Sequence, residues 1–269
     1  MIPARMAPHE ARVSGCYAEL DVVEVALFVT CLTDTFFPRV GEAVVRVLRH
    51  FGCRVEFPEG QTCCGQPAFN SGFHTEAAAL ARRMIPVFAP YEQVVTPSAS
   101  CATMVKMHFP ELLADEAGWR EAAVRLAAKT YEFTTFLRER LDVDIAAHLS
   151  FDEPVTFHFP CHAREAYGPE DLHNWLAHGK PADLCVPEHN DLCCGFGGVF
   201  AVDYPEISEP MLADRLEDLV ASGARLVICN EGGCTLSLAG GTHRRGLPLR
   251  FKHIAECLAE SLGLMEPER

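Results

Sequence analysis

The chain has 269 residues, enough for one large domain or for two of roughly 100–150 residues. Its formal charge of −14 excludes a general nucleic-acid surface, which needs clustered Lys and Arg to neutralise phosphates. Its longest apolar run, Val22 to Val29, is broken by Glu24 and falls far short of the ~20 residues that cross a bilayer.

Taken in chain order, the first 21 residues read as an extension without periodicity; they also lack the apolar core of a signal peptide, so a cytoplasmic location is expected. Val22 to Thr30 is a β-branched run ending at Cys31. Pro38 to Phe51 carries Val40, Val44, Val47, Leu48 and Phe51 at helical spacing, stopped by Gly52. Cys53 to Phe57 is a short strand leading into the glycine-rich GQTCCGQPAFNSG. Thr75 to Ala89 is a second helix, Val94-Val95-Thr96 a strand running toward Cys101, and Ala122 to Leu141 helical with a break near Tyr131.

The order then repeats. Val155 to Phe159 runs to Cys161, helical material follows, and a strand near Leu184 to Val186 precedes DLCCGFGGVFA. Pro210 to Ala221 is a helix with Met211, Leu212, Leu216, Leu219 and Val220 on one face; Leu226 to Ile228 is a strand, and Ile254 to Leu262 a closing helix. Alternating short strands and helices imply an α/β fold of two tandem, similar βαβ-type domains with parallel sheets, here 22–148 and 149–269 after the 1–21 extension. Ligand sites in such sheets form beyond the carboxyl ends of the strands, where most of the repeated cysteines fall.

Those cysteines keep register. Cys31 is followed by Cys63-Cys64-Gly65, and Cys161 by Cys193-Cys194-Gly195, each member 130 positions from its counterpart. Cys101 closes the first set 37 positions after Cys64, and Cys234 closes the second 40 positions after Cys194. Four thiols per half suit a soft metal or an iron–sulfur cluster. A vicinal pair suits a multinuclear cluster better than zinc, whose ligands are usually spaced by two to four residues; zinc in one domain stays open as an alternative. Gly65 and Gly195 would free the backbone for a turn and offer N–H groups to sulfur. No Cys-x-x-Cys occurs, which argues against a dithiol redox enzyme. Cys16, Cys53, Cys185, Cys229 and Cys257 stand outside the repeat and read as small core hydrophobes. His158 and His162 flank Cys161 where the first half has Phe28 and Leu32, so the two sites are not equivalent. His162 is a candidate proton relay or donor to sulfur, or a plain loop histidine. Arg164 is the leading candidate carboxylate clamp, ahead of Arg244 and Arg245.

The segments FVTCLTDTFFP (28–38), FPEGQTCCGQPAFNSGFHTEA (57–77), VVTPSASCATM (94–104), FHFPCHAREAYG (157–168), LCCGFGGVFAVDYPEIS (192–208) and GGCTLSLAGG (232–241) resemble the CCG, or cysteine-rich, domain. That domain occurs twice in one of the subunits of heterodisulfide reductases and in iron–sulfur subunits of glycolate and glycerol-3-phosphate oxidoreductases. The chain resembles most fully the lactate-utilisation protein A family, over about residues 22–262. The resemblance implies a cytoplasmic subunit of a three-protein system oxidising L-lactate to pyruvate. One partner would be a ferredoxin-like iron–sulfur protein, and the substrate a small 2-hydroxy acid; glycolate or a disulfide in place of lactate, and a zinc-stabilised scaffold without redox chemistry, are the alternatives. The four repeated thiols of each half are enough for one conventional 4Fe–4S cluster per domain. The full CCG pattern ends in Cys-x-x-Cys; here Ser98 and Glu231 stand three residues before Cys101 and Cys234, which argues against the five-thiol noncubane cluster. Cys229 could add a fifth thiolate in the second half only.

Overall fold

The computed structural model describes residues 22–167 and 184–267; the expected N-terminal extension, with Cys16, lies outside them. In the first half a parallel sheet is built from β1 (Glu24–Leu27), β2 (Arg54–Glu56), β3 (Val94–Thr96) and β4 (Thr130–Glu132) in the order β2-β1-β3-β4. It is interleaved with α1 (Cys31–Phe36), α2 (Pro38–His50), α3 (Gln66–Asn70), α4 (His74–Phe88), α5 (Ala99–Thr103), α6 (Phe109–Leu112), α7 (Ala117–Lys129) and α8 (Phe133–Leu141). The short α9 (Ile145–His148) leads into the second half.

There β5 (Val155–Phe157), β6 (Leu226–Cys229) and β7 (Arg250–His253) form a second parallel sheet in the order β5-β6-β7. Its helices are α10 (Cys161–Tyr167), α11 (Phe200–Asp203), α12 (Pro205–Ala221), α13 (Gly232–Arg245) and α14 (Ile254–Ser261). Leu184 makes a single parallel bridge to Val155, at the edge that β2 occupies in the first sheet. The strand expected over Leu184 to Val186 goes no further than this bridge, because Pro187 has no N–H to continue a ladder. The expected break near Tyr131 is the strand β4, paired in register with β3.

Period-two alternation divides each sheet between two cores. Val25 and Leu27 of the first sheet, with Val155, Phe157, Leu226 and Ile228 of the second, enter one continuous core that α2, α8 and α14 complete. The opposite faces are covered separately. Ala26 and Phe28 pack with Met84 and Phe88 of α4, and Val227 and Cys229 pack with Leu212 and Leu216 of α12. The halves are joined by ion pairs as well: Arg39 of α2 reaches Glu256 and Glu260 of α14 at 3.7 Å each. At the buried seam His253 Nε2 donates to the Pro97 carbonyl at 2.8 Å while its Nδ1 accepts from the Ala255 amide.

Candidate metal centre

In the first sheet the strand order reverses between the adjacent parallel strands β1 and β3, and in the second the Leu184 bridge on one side of β5 and β6 on the other set the same reversal between β5 and β6. Such a reversal opens a crevice beyond the carboxyl ends. Cys31 opens α1 just after β1, and Cys101 lies in α5 just after β3; Cys161 opens α10 after β5, and Cys234 lies in α13 after β6. The Cys63-Cys64 and Cys193-Cys194 loops close each crevice. All eight repeated cysteines line a single cavity of about 380 Å³.

Within each set the geometry is the same. Cys64 Sγ lies 3.2 Å from Cys101 Sγ, and Cys194 Sγ lies 3.0 Å from Cys234 Sγ. Both separations exceed a disulfide bond, so these are free thiols. The Gly65 amide donates to Cys63 Sγ at 3.4 Å, and the Gly195 amide to Cys193 Sγ at 3.5 Å. Gly65 (φ 87°) and Gly195 (φ 74°) adopt the left-handed backbone that makes this return possible. A Cβ on Gly195 would stand 2.6 Å from the Ser208 carbonyl oxygen, so the loop is pressed against α12.

Hydrogen bonds from Cys31 and then Cys64, with the Gly65 amide, hold the Cys63 thiol down to about 3 despite burial. Hydrogen bonds from Cys161 and Cys194, with the Gly195 amide, hold Cys193 down to about 2. The donors Cys31, Cys64, Cys161 and Cys194 are pushed above the usual thiol range, chiefly because each shares its proton with a neighbouring sulfur. Such proton-sharing quartets release protons when a metal takes their place.

Of the other sequence candidates, His162 lines the cavity, with Nε2 3.1 Å from the Gln66 amide nitrogen of the other half. Its wall is polar, whereas the corresponding positions Leu32 and Phe196 make an apolar one. Arg164 donates to the Asn190 carbonyl at 3.4 Å and does not line the cavity; Arg245 pairs with Glu209 at 3.8 Å, and Arg244 is exposed. Cys229 is buried beside Cys234, its thiol donating to the Glu231 carbonyl at 3.6 Å.

Three features escaped the sequence. Ser98 and Glu231, which replace cysteines of the CCG pattern, bond to each other across the halves at 2.9 Å. Glu231 Oε2 also accepts from the Ser100 amide at 2.8 Å, and Oε1 from the Gly233 amide at 3.2 Å. The matched offsets of Ser98 and Glu231 from Cys101 and Cys234 were the available signal. The third is Arg215, fully buried on α12. It occupies a slot in the apolar stripe of Leu212, Leu216 and Leu219, and a cation in such a stripe is itself a signal.

A ring nitrogen of His158 lies with Cys194 and Cys234 Sγ inside a 4.8 Å group that has the outline of a zinc site. The hydrogen bonds contradict histidine ligation. Arg215 Nε, always a donor, gives to His158 Nδ1 at 3.1 Å, so the neutral ring carries its proton on Nε2 and has no free lone pair for a metal. Four thiols per set, an inward amide to one sulfur of each, and a buried Nε2–H without a protein partner suit an iron–sulfur cluster, whose sulfides take N–H donors.

Two parallel α/β sheets with mirrored cysteine quartets define a tandem cysteine-rich protein, and the CCG cysteine-rich domain model matches residues 25–106 and 155–239. The chain belongs to the lactate utilization protein A family, with two CCG domains. It is 42% identical to lactate utilization protein A of Exiguobacterium sp. over 88% of this chain and 98% of that protein. It is also 42% identical to the Halalkalibacterium halodurans protein of that name, over 88% and 96%, and 43% identical to lactate utilization protein A 1 of Bacillus mycoides, over 88% and 97%.

Proposed function

We propose that the chain is the iron–sulfur, electron-transferring subunit of a cytoplasmic complex that oxidises L-lactate to pyruvate. The observation that carries this reading is the convergence of two quartets with the same internal geometry on one cavity. Cys31, Cys63, Cys64 and Cys101 would hold one 4Fe–4S cluster, and Cys161, Cys193, Cys194 and Cys234 the other. Such clusters supply one-electron steps. The lactate assignment rests on the names of the relatives. Among the described residues no helix is long and apolar enough to cross a membrane.

The cavity favours electron transfer over substrate capture. No Arg or Lys is among its described lining residues, so among these a carboxylate finds no clamp. The 2-hydroxy acid is therefore assigned to a partner subunit, and a ferredoxin-like iron–sulfur protein to the electron relay. His162, against Gln66, remains the side chain placed to hold a proton beside the sulfurs.

The test is anaerobic purification followed by iron, sulfide and zinc analysis. Brown protein with about four irons per half is expected; colourless protein with stoichiometric zinc would overturn the reading. Lactate-dependent reduction of an artificial acceptor should be weak for the lone chain, return with its partner proteins, and be lost in Cys161→Ser or Cys194→Ser. Robust oxidation by the iron-free chain alone would exclude the subunit role.

A further inference from the structure

The quartets match, but what surrounds them does not. His158 and Phe28 are corresponding positions, each three residues before the first cysteine of its set. Gly65 packs on Ala77 and Gly195 on Ser208, which aligns α4 with α12 at an offset of 131 and sets Met84 opposite Arg215. The buried positions agree: Ala81, Met84, Ile85 and Phe88 face inward on α4 as Leu212, Arg215, Leu216 and Leu219 do on α12. An apolar pair beside the first quartet is thus replaced, beside the second, by an imidazole and a guanidinium.

The replacement is held in one orientation. Arg215 Nη1 donates to Asp218 Oδ2 at 2.7 Å and to the His189 carbonyl at 2.8 Å, while Asp218 Oδ1 accepts from the His189 amide at 3.1 Å. That clamp aims Arg215 Nε at His158 Nδ1 and leaves the proton on Nε2. Nε2 is buried and has no hydrogen-bond partner in the protein, and the ring lies within 4.8 Å of Cys194 and Cys234 Sγ. Around Phe28 the described residues hold no such relay: its ring packs on Phe88 at 5.5 Å, and Met84 Sδ accepts from the Thr62 amide at 3.3 Å. Phe and Met have no N–H to give.

We propose that the Asp218–Arg215–His158 relay presents an N–H to the second centre alone, making it the more easily reduced of the two, so that the single electron of a half-reduced molecule resides in the second half. The inference rests on the reading that both quartets hold iron–sulfur clusters. An N–H directed at sulfur stabilises the charge added on reduction and raises the potential. Arg215 is partly neutralised by Asp218, so its role is to position His158; Arg164, the other cation acting on that ring, is already held at Asn190.

The experiment is redox titration followed by electron paramagnetic resonance on the iron-loaded full chain and three variants. His158→Phe, which copies the first half, should lower the potential of one centre and leave the other unchanged. The expected fall is at least tenfold in that centre's reduction equilibrium, about 59 mV for one electron. Phe28→His should shift the other centre, not the same one. Arg215→Met should lower the second centre's potential as well. In the iron-free chain, nitrogen NMR should show His158 protonated on Nε2, and this preference should be lost in Arg215→Met. Equal potentials in the parent and in His158→Phe, or a common shift of both centres, would overturn the proposal. If His158→Phe fails to load iron, Arg215→Met and the tautomer measurement decide in its place. A chain that binds no iron at all refutes the cluster reading instead, and the NMR result then still tests the relay separately.

Discussion

Replacing Glu231 with alanine tests the seam between the halves. Its carboxylate is buried and takes three donors, the Ser98 hydroxyl and the Ser100 amide on Oε2 and the Gly233 amide on Oε1. The Ser98 hydroxyl can turn toward Ser100 Oγ, 3.2 Å away, so its loss is compensated. The two amides have no such alternative, and a buried donor left unpaired costs about 1–3 kcal/mol. Relief of the buried carboxylate's desolvation offsets part of that sum. Glu231→Ala should therefore cost about 3 kcal/mol, and Glu231→Gln, which keeps an acceptor for one amide, about half as much. Urea unfolding followed by circular dichroism measures both, and the shared core predicts one transition for the whole chain. A double-mutant cycle with Ser98→Ala should show coupling of about 1 kcal/mol. A cost below about 0.5 kcal/mol, ordinary for a surface acid, or strict additivity with Ser98→Ala would refute the argument.

Three further outcomes are expected. Burial lowers His253 from 6.5 to about 4, so between those values the unfolded chain binds more protons than the folded one; stability should fall on acidification through that window, by about 3 kcal/mol in full, and His253→Gln should flatten the slope relative to the parent. Gly195→Ala should be more destabilising than Gly72→Ala by at least about 1 kcal/mol, since both glycines have positive φ but only at Gly195 would the new Cβ meet a carbonyl at 2.6 Å; equal costs in thermal unfolding would show that the loop is free to move. Cys63→Ser and Cys193→Ser should each remove about half of the bound iron while Cys16→Ser leaves it unchanged, which iron analysis would contradict if all three variants matched.

The cysteine register and the alternation of short apolar runs with helices made the parallel α/β plan legible, because both are local signals. What was not legible depends on partners distant in sequence. The helix Gly232–Arg245 opens with two glycines and contains Gly240 and Gly241, a poor helical composition. It is held by the Glu231 cap on the Gly233 amide and by close packing of Leu212 and Leu216 over Gly241, 2.9 Å from where a Cβ would stand. Arg215 was hidden because helical periodicity records which positions face inward, not the hydrogen bonds that let a cation do so. Ser98 and Glu231 looked like two separate departures from a pattern; only the fold makes them one bond.

The core that runs without interruption from the first sheet to the second gives the molecule the plan of a dimer whose two subunits share one polypeptide. A pair of identical chains about that core would have to carry every substitution twice. It could not keep Phe28 and Met84 beside one quartet and His158 and Arg215 beside the other, nor pair one serine with one glutamate across the axis. Fusion of the copies is what frees matched sites to become unlike, and the differences around the two quartets are the mark of that freedom.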